Sequence, residues 1–208
     1  MINLFKTLNP LNILWLAFIL FALRAGYLFT APTHIEPPFT LPLAKLLFIQ
    51  ANYPVSSAFN IMLAAAIVFV QALLLNHLVN HFNLLGKPTF LPALMYVTLS
   101  GLFTPFLVLS PALICNFLVI WMLFKLFNFY KSKDSKSSAF DLGMIVAVGS
   151  LIYLPFVYLF LIIWIALIIF KPFNWREWVA GVIGYVTIFF FLAVYYYLND
   201  SLAQFYNI

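Results

Sequence analysis

Charged side chains are scarce in this sequence of 208 residues. Only 7% of its residues are Asp, Glu, Lys or Arg, whereas 66% are hydrophobic. A soluble domain carries about 25% charged residues, because polar groups must cover its surface. The deficit therefore excludes an ordinary water-soluble domain. It is the composition expected of a chain whose solvent is lipid.

Cysteine and the common catalytic motifs are also missing. Cys115 is the only cysteine, so no internal disulfide and no cysteine-based metal cluster can form. There is no Walker loop, GxSxG, HExxH or CxxC pattern. His77 and His81 share a helix face, but a metal site generally needs a third ligand, and no acid stands beside them. We therefore predict neither a metal ion nor a cofactor.

Long apolar segments dominate what is present. Three of them, about Leu11–Phe29, Val55–Leu78 and Val179–Leu198, are near the roughly 20 residues that a helix needs to cross a bilayer. Aromatic residues that prefer the membrane interface flank the last segment at both ends. These patterns predict an all-α fold, a polytopic bundle of transmembrane helices that forms a single domain over residues 1–208.

Two further apolar blocks, Pro92–Phe129 and Leu142–Phe170, are too long for one upright crossing each. Ser110-Pro111 predicts a tight turn inside the first block, because proline is favoured in the first turn of a new helix. Pro155 predicts a break in the second, because proline removes a backbone donor and clashes with the preceding turn. A hairpin there gives seven spans, and a straight helix would give six.

The cations favour seven spans. Lys6, Lys87, the Lys131–Lys136 loop, Lys171 and Arg176 share one side only if the second long block crosses and returns. Cytoplasmic loops carry the excess of Lys and Arg. We therefore predict a bacterial inner-membrane protein with a cytoplasmic N-terminus and an outer C-terminus. The net charge of +5 is attributed to orientation and lipid headgroups. The expected partners are membrane lipids and other membrane-protein subunits, and not nucleic acid.

Two charged residues are candidates for a site. Glu36 is the only acid of the first outer loop, and if the chain is an enzyme it is the candidate catalytic base. The alternative is a solvated loop acid. Arg24, near the end of the first span, is a candidate for binding a lipid phosphate, since a guanidinium suits an oxyanion. Its alternative is a side chain that merely reaches the interface.

Other polar and small residues predict packing. Ala180 and Gly184 form a small-xxx-small face on the last span, which favours close contact with another helix. Gln71 and Asn116 lie inside spans, where a buried amide needs a partner, so we expect them to tie helices together. Asp141 is expected to cap the N-terminus of the helix that follows it.

The segment "SSAFDLGMIVAVGSLIYLPFVYLFLIIWIALIIFKPFNWREWVAGVIGY" carries a family resemblance. Its features are Phe140-Asp141, the break at Pro155, the run Asn174–Trp178 and the following Gly184. With the N-terminal "LNPLN", they resemble a Bacteroidota family of polytopic inner-membrane proteins of unassigned function, whose members often bear the label beta-carotene monooxygenase. That resemblance implies a multi-pass membrane protein.

The segment "LRAGYLFTAPTHIEPPFTLPLAKLLF" resembles, more distantly, the N-terminal membrane module of GT-C glycosyltransferases. Glu36 would match one acid of the outer-loop motif in those enzymes, and no second acid accompanies it. The resemblance implies the same helical layout and, as an alternative function, glycosyl transfer from a polyprenyl-phosphate-linked sugar. The favoured hypothesis is a non-catalytic subunit or scaffold of a cell-envelope membrane complex. A transporter ranks third, because the span interiors hold no acid.

Overall fold

The structure is a computed structural model and describes residues 4–6, 9–29, 57–131, 135–170 and 174–200. Within these ranges the chain forms helices and no strand, which confirms the predicted all-α bundle. The α-helices are α1 (Leu11–Phe29), α2 (Ser57–His81), α3 (Leu91–Ser100), α4 (Thr104–Leu107), α5 (Pro111–Lys131), α6 (Ser135–Ile152), α7 (Leu159–Phe170) and α8 (Trp175–Leu198). Leu4–Lys6 and Leu154–Tyr158 are short 3-10 helices.

Several of these helices are apolar along most of their length. Three, namely α2, α5 over Pro111–Phe129, and α8, are long and apolar enough to cross a membrane, and α1, α3 and the segment Leu154–Phe170 contain shorter apolar stretches. The predicted first, second and last spans coincide closely with α1, α2 and α8. The apolar helices indicate a membrane protein.

The described residues form two compact units. The first contains residues 4–6, 9–29 and 57–120, and the second contains residues 121–131, 135–170 and 174–200. Helix α5 begins in the first unit and ends in the second. The single domain over residues 1–208 stays a prediction.

In the first unit, the segment after α2 returns along it. The turn between α2 and α3 contains Gly86 in the left-handed region, at φ +71°. The Asn80 side chain bonds to both the N–H and the carbonyl of Thr89, at 3.1 and 3.0 Å. At the other end of α2, the N–H of Leu109 donates to Asn60 Oδ1 at 2.8 Å. Residues 89–109 therefore run antiparallel to α2 over nearly its whole length.

This returning segment is not one continuous helix, which corrects the span predicted there. Helix α3 ends at Ser100 and α5 begins at Pro111. The residues between them form only one helical turn, α4. Pro105 in the first turn of α4 lacks the N–H that a continuous helix would use. The predicted turn at Ser110-Pro111 is confirmed, because α5 begins at Pro111 and Ser110 Oγ accepts from Leu113 N–H at 3.2 Å.

In the second unit, α6 and α8 pack at backbone distance. A Cβ added at Gly184 would overlap the carbonyl of Phe140, and one added at Gly143 would overlap the carbonyl of Gly181. Only glycine allows this approach. Gly184 thus lies in a close contact between α6 and α8, and Gly181 is the second glycine of α8 in that contact. Ala180 is half-buried beside it.

The predicted break at Pro155 is confirmed. Helix α6 ends at Ile152, and a 3-10 helix precedes α7. The Phe156 ring packs onto Gly149, and the Cβ position of Gly181 lies 3.5 Å from the carbonyl oxygen of Ala139 and 3.9 Å from the Phe160 ring. Phe160 is therefore close to the first half of α6, as expected of a segment that doubles back.

Asp141 does not cap a helix. Helix α6 begins six residues earlier, at Ser135, so Asp141 lies inside it. Its carboxylate instead forms a 2.7 Å ion pair with Lys125 Nζ on α5, and both side chains are about one-third exposed. A pair this accessible contributes about 0–1 kcal/mol.

Candidate functional site

Arg24 reaches into the first unit at the broken return segment. Its residue is only 2% exposed, and Nη2 donates to the carbonyl of Phe106 at 2.6 Å. Phe106 belongs to the one-turn helix α4, whose carbonyls have no following turn to bind them. Arg24 therefore satisfies a backbone acceptor exposed by the break. Leu23 packs nearby, 3.4 Å from the position that a Cβ on Gly101 would take.

The charge of Arg24 is only partly compensated. Its Nε and Nη1 atoms are buried and make no hydrogen bond within the part of the chain that the structure describes. The acids among the described residues, Asp141, Glu177 and Asp200, all belong to the second unit. A charged side chain enclosed in an apolar interior is costly, and such charges are normally paired. Two nitrogen atoms of this buried guanidinium thus have no hydrogen-bond partner among the described residues.

Other donors lie at the same end of the first unit. Phe106 and Leu109 are three residues apart, so Arg24 and Asn60 hold the same irregular segment. With Oδ1 of Asn60 engaged, its amide nitrogen has no hydrogen bond to the described residues. Helix α5, 21 residues long, starts at Pro111 and directs the positive end of its dipole here. The described groups at this end of the unit are thus hydrogen-bond donors and positive charges.

The polar residues deeper in the first unit are bonded to one another. Gln71 is fully buried; its Nε2 donates to the Leu113 carbonyl at 2.6 Å, and its Oε1 accepts from the Tyr96 hydroxyl at 2.7 Å. Asn116 Nδ2 donates to the same hydroxyl at 3.1 Å. The prediction that Gln71 and Asn116 tie helices together is confirmed. Tyr96 was missed, because nothing in its local sequence marks it as their shared partner.

The remaining candidates are Glu36 and the pair His77 and His81. Glu36 lies outside the described residues, so its role as a base stays a prediction. The rings of His77 and His81 stack at 5.9 Å between centroids. Within the described ranges, no group of three or more His, Cys, Asp and Glu residues has metal-binding geometry.

Helix α8 exposes an apolar seam on a flank that differs from its glycine face. Only 11% of its most apolar stretch is buried. Along this flank, residues repeat at alternating steps of three and four, and we call them the α8 seam: Ala180, Ile183, Thr187, Phe190 and Val194. Ala180 and Thr187 are half-buried, and the other three are exposed.

Because a fold alone does not specify an activity, the function must be argued from these two features, the Arg24 site and the α8 seam. No family model, no curated protein and no solved structure matches this chain.

Proposed function

We propose that this chain is a non-catalytic subunit or scaffold of a cell-envelope complex in the bacterial inner membrane. The observation that carries the proposal is the α8 seam, which suits a transmembrane helix of another membrane protein. A heptad-like spacing of three and four keeps one stripe of a helix facing a partner along its length. The seam extends over residues 180–194.

The composition of the seam favours a helix over lipid as its neighbour. Ala180 and Thr187, one heptad apart, are small enough to admit a helix backbone, and Ile183 and Phe190 stand beside them as large side chains. The Thr187 hydroxyl already donates to the carbonyl of Ile183 at 2.7 Å, so it brings no unpaired donor into an interface. Small residues of this kind are enriched where transmembrane helices meet.

Helix α7 supplies the contrast within the same unit. Its exposed positions carry only large aliphatic side chains, with no small residue between them to admit a neighbouring backbone: Leu161, Ile162, Ile165, Ile168 and Ile169. A surface of that kind suits lipid chains. The two exposed surfaces thus differ in the respect that separates helix packing from lipid solvation.

The proposal extends to placement in the membrane. The lysine distribution supports a cytoplasmic N-terminus and a multi-pass chain. Gln71, Tyr96 and Asn116 form hydrogen bonds between helices, and this use of polar groups suits a structural role. Membership of the Bacteroidota family stays a prediction, and a scaffold role is compatible with it.

Site-specific photo-crosslinking tests the proposed interface. A photoreactive amino acid is placed at Thr187, and in a matched variant at Ile165 on α7, in cells that produce the protein at its natural level. We expect Thr187 to give a discrete protein adduct that mass spectrometry identifies as another membrane protein, and Ile165 to give lipid adducts alone. Equal yields of the same products from both positions would contradict the proposal.

A further inference from the structure

The strongest unassigned feature is the buried guanidinium of Arg24. A guanidinium has five N–H donors and no acceptor. One hydrogen bond, from Nη2 to the Phe106 carbonyl, is formed, and the donors at Nε and Nη1 are enclosed without a partner among the described residues. Buried polar groups are almost always hydrogen-bonded, so these two donors point to an acceptor from outside the described residues.

The surroundings of Arg24 indicate the chemistry of such an acceptor. Among the described residues, the first unit contains no acid, because Asp141, Glu177 and Asp200 all lie in the second unit. The Asn60 amide nitrogen is a further donor beside the same irregular segment. A ligand that accepts hydrogen bonds from a buried guanidinium, where no described group carries a negative charge, is an oxyanion.

We infer that the Arg24 site binds a phosphate group, with Arg24 as its principal ligand. Phosphate presents several acceptor oxygens, so one group can take the free donors of Arg24 while Nη2 stays on Phe106. Lipid headgroups and free phosphate share this chemistry. Because Arg24 is only 2% exposed, the phosphate enters by parting the side chains that cover it. Binding there also locks the broken segment between α3 and α5.

Arginine fits this role better than lysine would. Its planar group can keep one edge on a backbone carbonyl while other N–H groups face an oxyanion, whereas an ammonium is a single point of charge. A purely structural role at Phe106 would need one donor, which glutamine also supplies. The comparison of Arg24→Gln with Arg24→Lys therefore separates backbone capping from anion binding.

The experiment is native mass spectrometry of the full-length protein in a neutral detergent. The probes are phosphatidylglycerol, dioleoylglycerol as a phosphate-free counterpart, and inorganic phosphate as a competitor. The variants are Arg24→Gln and Arg24→Lys, with Arg176→Gln as the control, since Arg176 is exposed at the start of α8. We expect wild-type protein and Arg176→Gln to retain phosphatidylglycerol, and Arg24→Gln to bind it at least about tenfold more weakly.

The arms distinguish the two sources of phosphate. Displacement of the lipid by inorganic phosphate supports the site with the phosphate as the recognised part. Retention of the lipid despite inorganic phosphate supports it with a lipid headgroup as the ligand. Equal affinity of wild type and Arg24→Gln for phosphatidylglycerol, or wild-type binding of dioleoylglycerol as tight as that of phosphatidylglycerol, would overturn it. The last comparison uses wild-type protein alone, so it stands even if the variants fail to fold, and it is independent of the α8 seam.

Discussion

At the scale of single residues, the polar groups in the apolar interior determine how the first unit is held together. Gln71 on α2 bonds to α5 through the Leu113 carbonyl and to α3 through Tyr96. In lipid no water replaces a lost partner, so breaking one such bond leaves both the donor and the acceptor unsatisfied. Measured values for hydrogen bonds between transmembrane helices are nevertheless modest, about 0.6 kcal/mol on average.

Gln71→Leu should lower the free energy of unfolding by about 1–2 kcal/mol, because it removes two hydrogen bonds and leaves the Leu113 carbonyl and the Tyr96 hydroxyl short of a partner. Val70→Leu is the matched control: Val70 is the neighbouring residue, it is 46% exposed, and its change should have almost no effect. Unfolding in detergent mixtures, followed by circular dichroism, measures both. An equal loss in the two variants would show that the hydrogen bonds of Gln71 carry no net stability.

Glu36→Gln should leave the cellular role of the protein intact. A glycosyltransferase needs a base for its acceptor and groups that manage the leaving phosphate, and the sequence supplies only one acid in that loop. Complementation of a strain that lacks the protein measures the outcome, with the amount of protein in the membrane as control. Loss of complementation, with normal protein level and retained partners, would favour the glycosyltransferase alternative.

At the scale of elements, the contact of α6 with α8 is the tightest in the second unit. Gly143, Gly181 and Gly184 bring the two backbones together, and the aromatic rings of α7 pack on the adjoining side of α8. There, Trp164 stacks on Trp178 at 5.4 Å and Phe160 meets Tyr185 edge-on at 5.8 Å. Because the later residue of α7 meets the earlier residue of α8, these two pairs show that α7 and α8 run antiparallel.

Gly184→Leu should destabilise the second unit by about 1–3 kcal/mol or prevent its assembly, because even a methyl group at that position overlaps the backbone of Phe140. Val182→Leu is the control, since Val182 is 42% exposed on the same helix. Thermal stability in detergent, followed by size-exclusion chromatography, distinguishes them. Wild-type stability of Gly184→Leu would mean that α6 and α8 do not approach so closely.

At the scale of the whole molecule, the two long apolar blocks decide the topology. Each contains a break, one between Ser100 and Pro111 and the other between Ile152 and Leu159. The hydrogen bond from Asn116 to Tyr96, and the nearness of Phe160 and Ala139 to one point on Gly181, show that the chain doubles back in each block. Seven crossings stay a prediction, for which the lysine distribution is the argument.

Cysteine labelling tests this topology in a Cys115→Ser background. In spheroplasts, an impermeant maleimide should label Tyr153→Cys from outside, and should label Trp175→Cys only after the membrane is permeabilised. The reason is that Lys171 and Arg176 favour the cytoplasmic side. Reporter fusions at Ser135 and Ile208 should likewise fall on opposite sides, with Ser135 in the cytoplasm. If both fusions report one side, the seven-span topology is wrong.

The sequence by itself determined the class of this protein and most of its helix positions. Scarce charge and long apolar segments leave lipid as the solvent for such a chain, and they mark α1, α2 and α8. Pro111 and Pro155 marked a helix start and a break correctly, because proline acts locally through its missing N–H and its fixed ring. Gln71 and Asn116 were recognised because an amide in lipid must find a partner.

Only the tertiary structure decided which groups meet. Gly101 and Pro105 were available as turn signals in the sequence, yet the broken segment became evident only once Asn60 and Arg24 were found bonded to its backbone. The sequence placed Arg24 only near the end of a span. Its orientation into the protein depends on Phe106 of α4, which is 82 residues away in sequence. Likewise, the sequence did not show which of the neighbouring small residues Ala180 and Gly181 would lie in the contact. In the structure α6 packs on Gly181, and Ala180 lies at the edge of the contact.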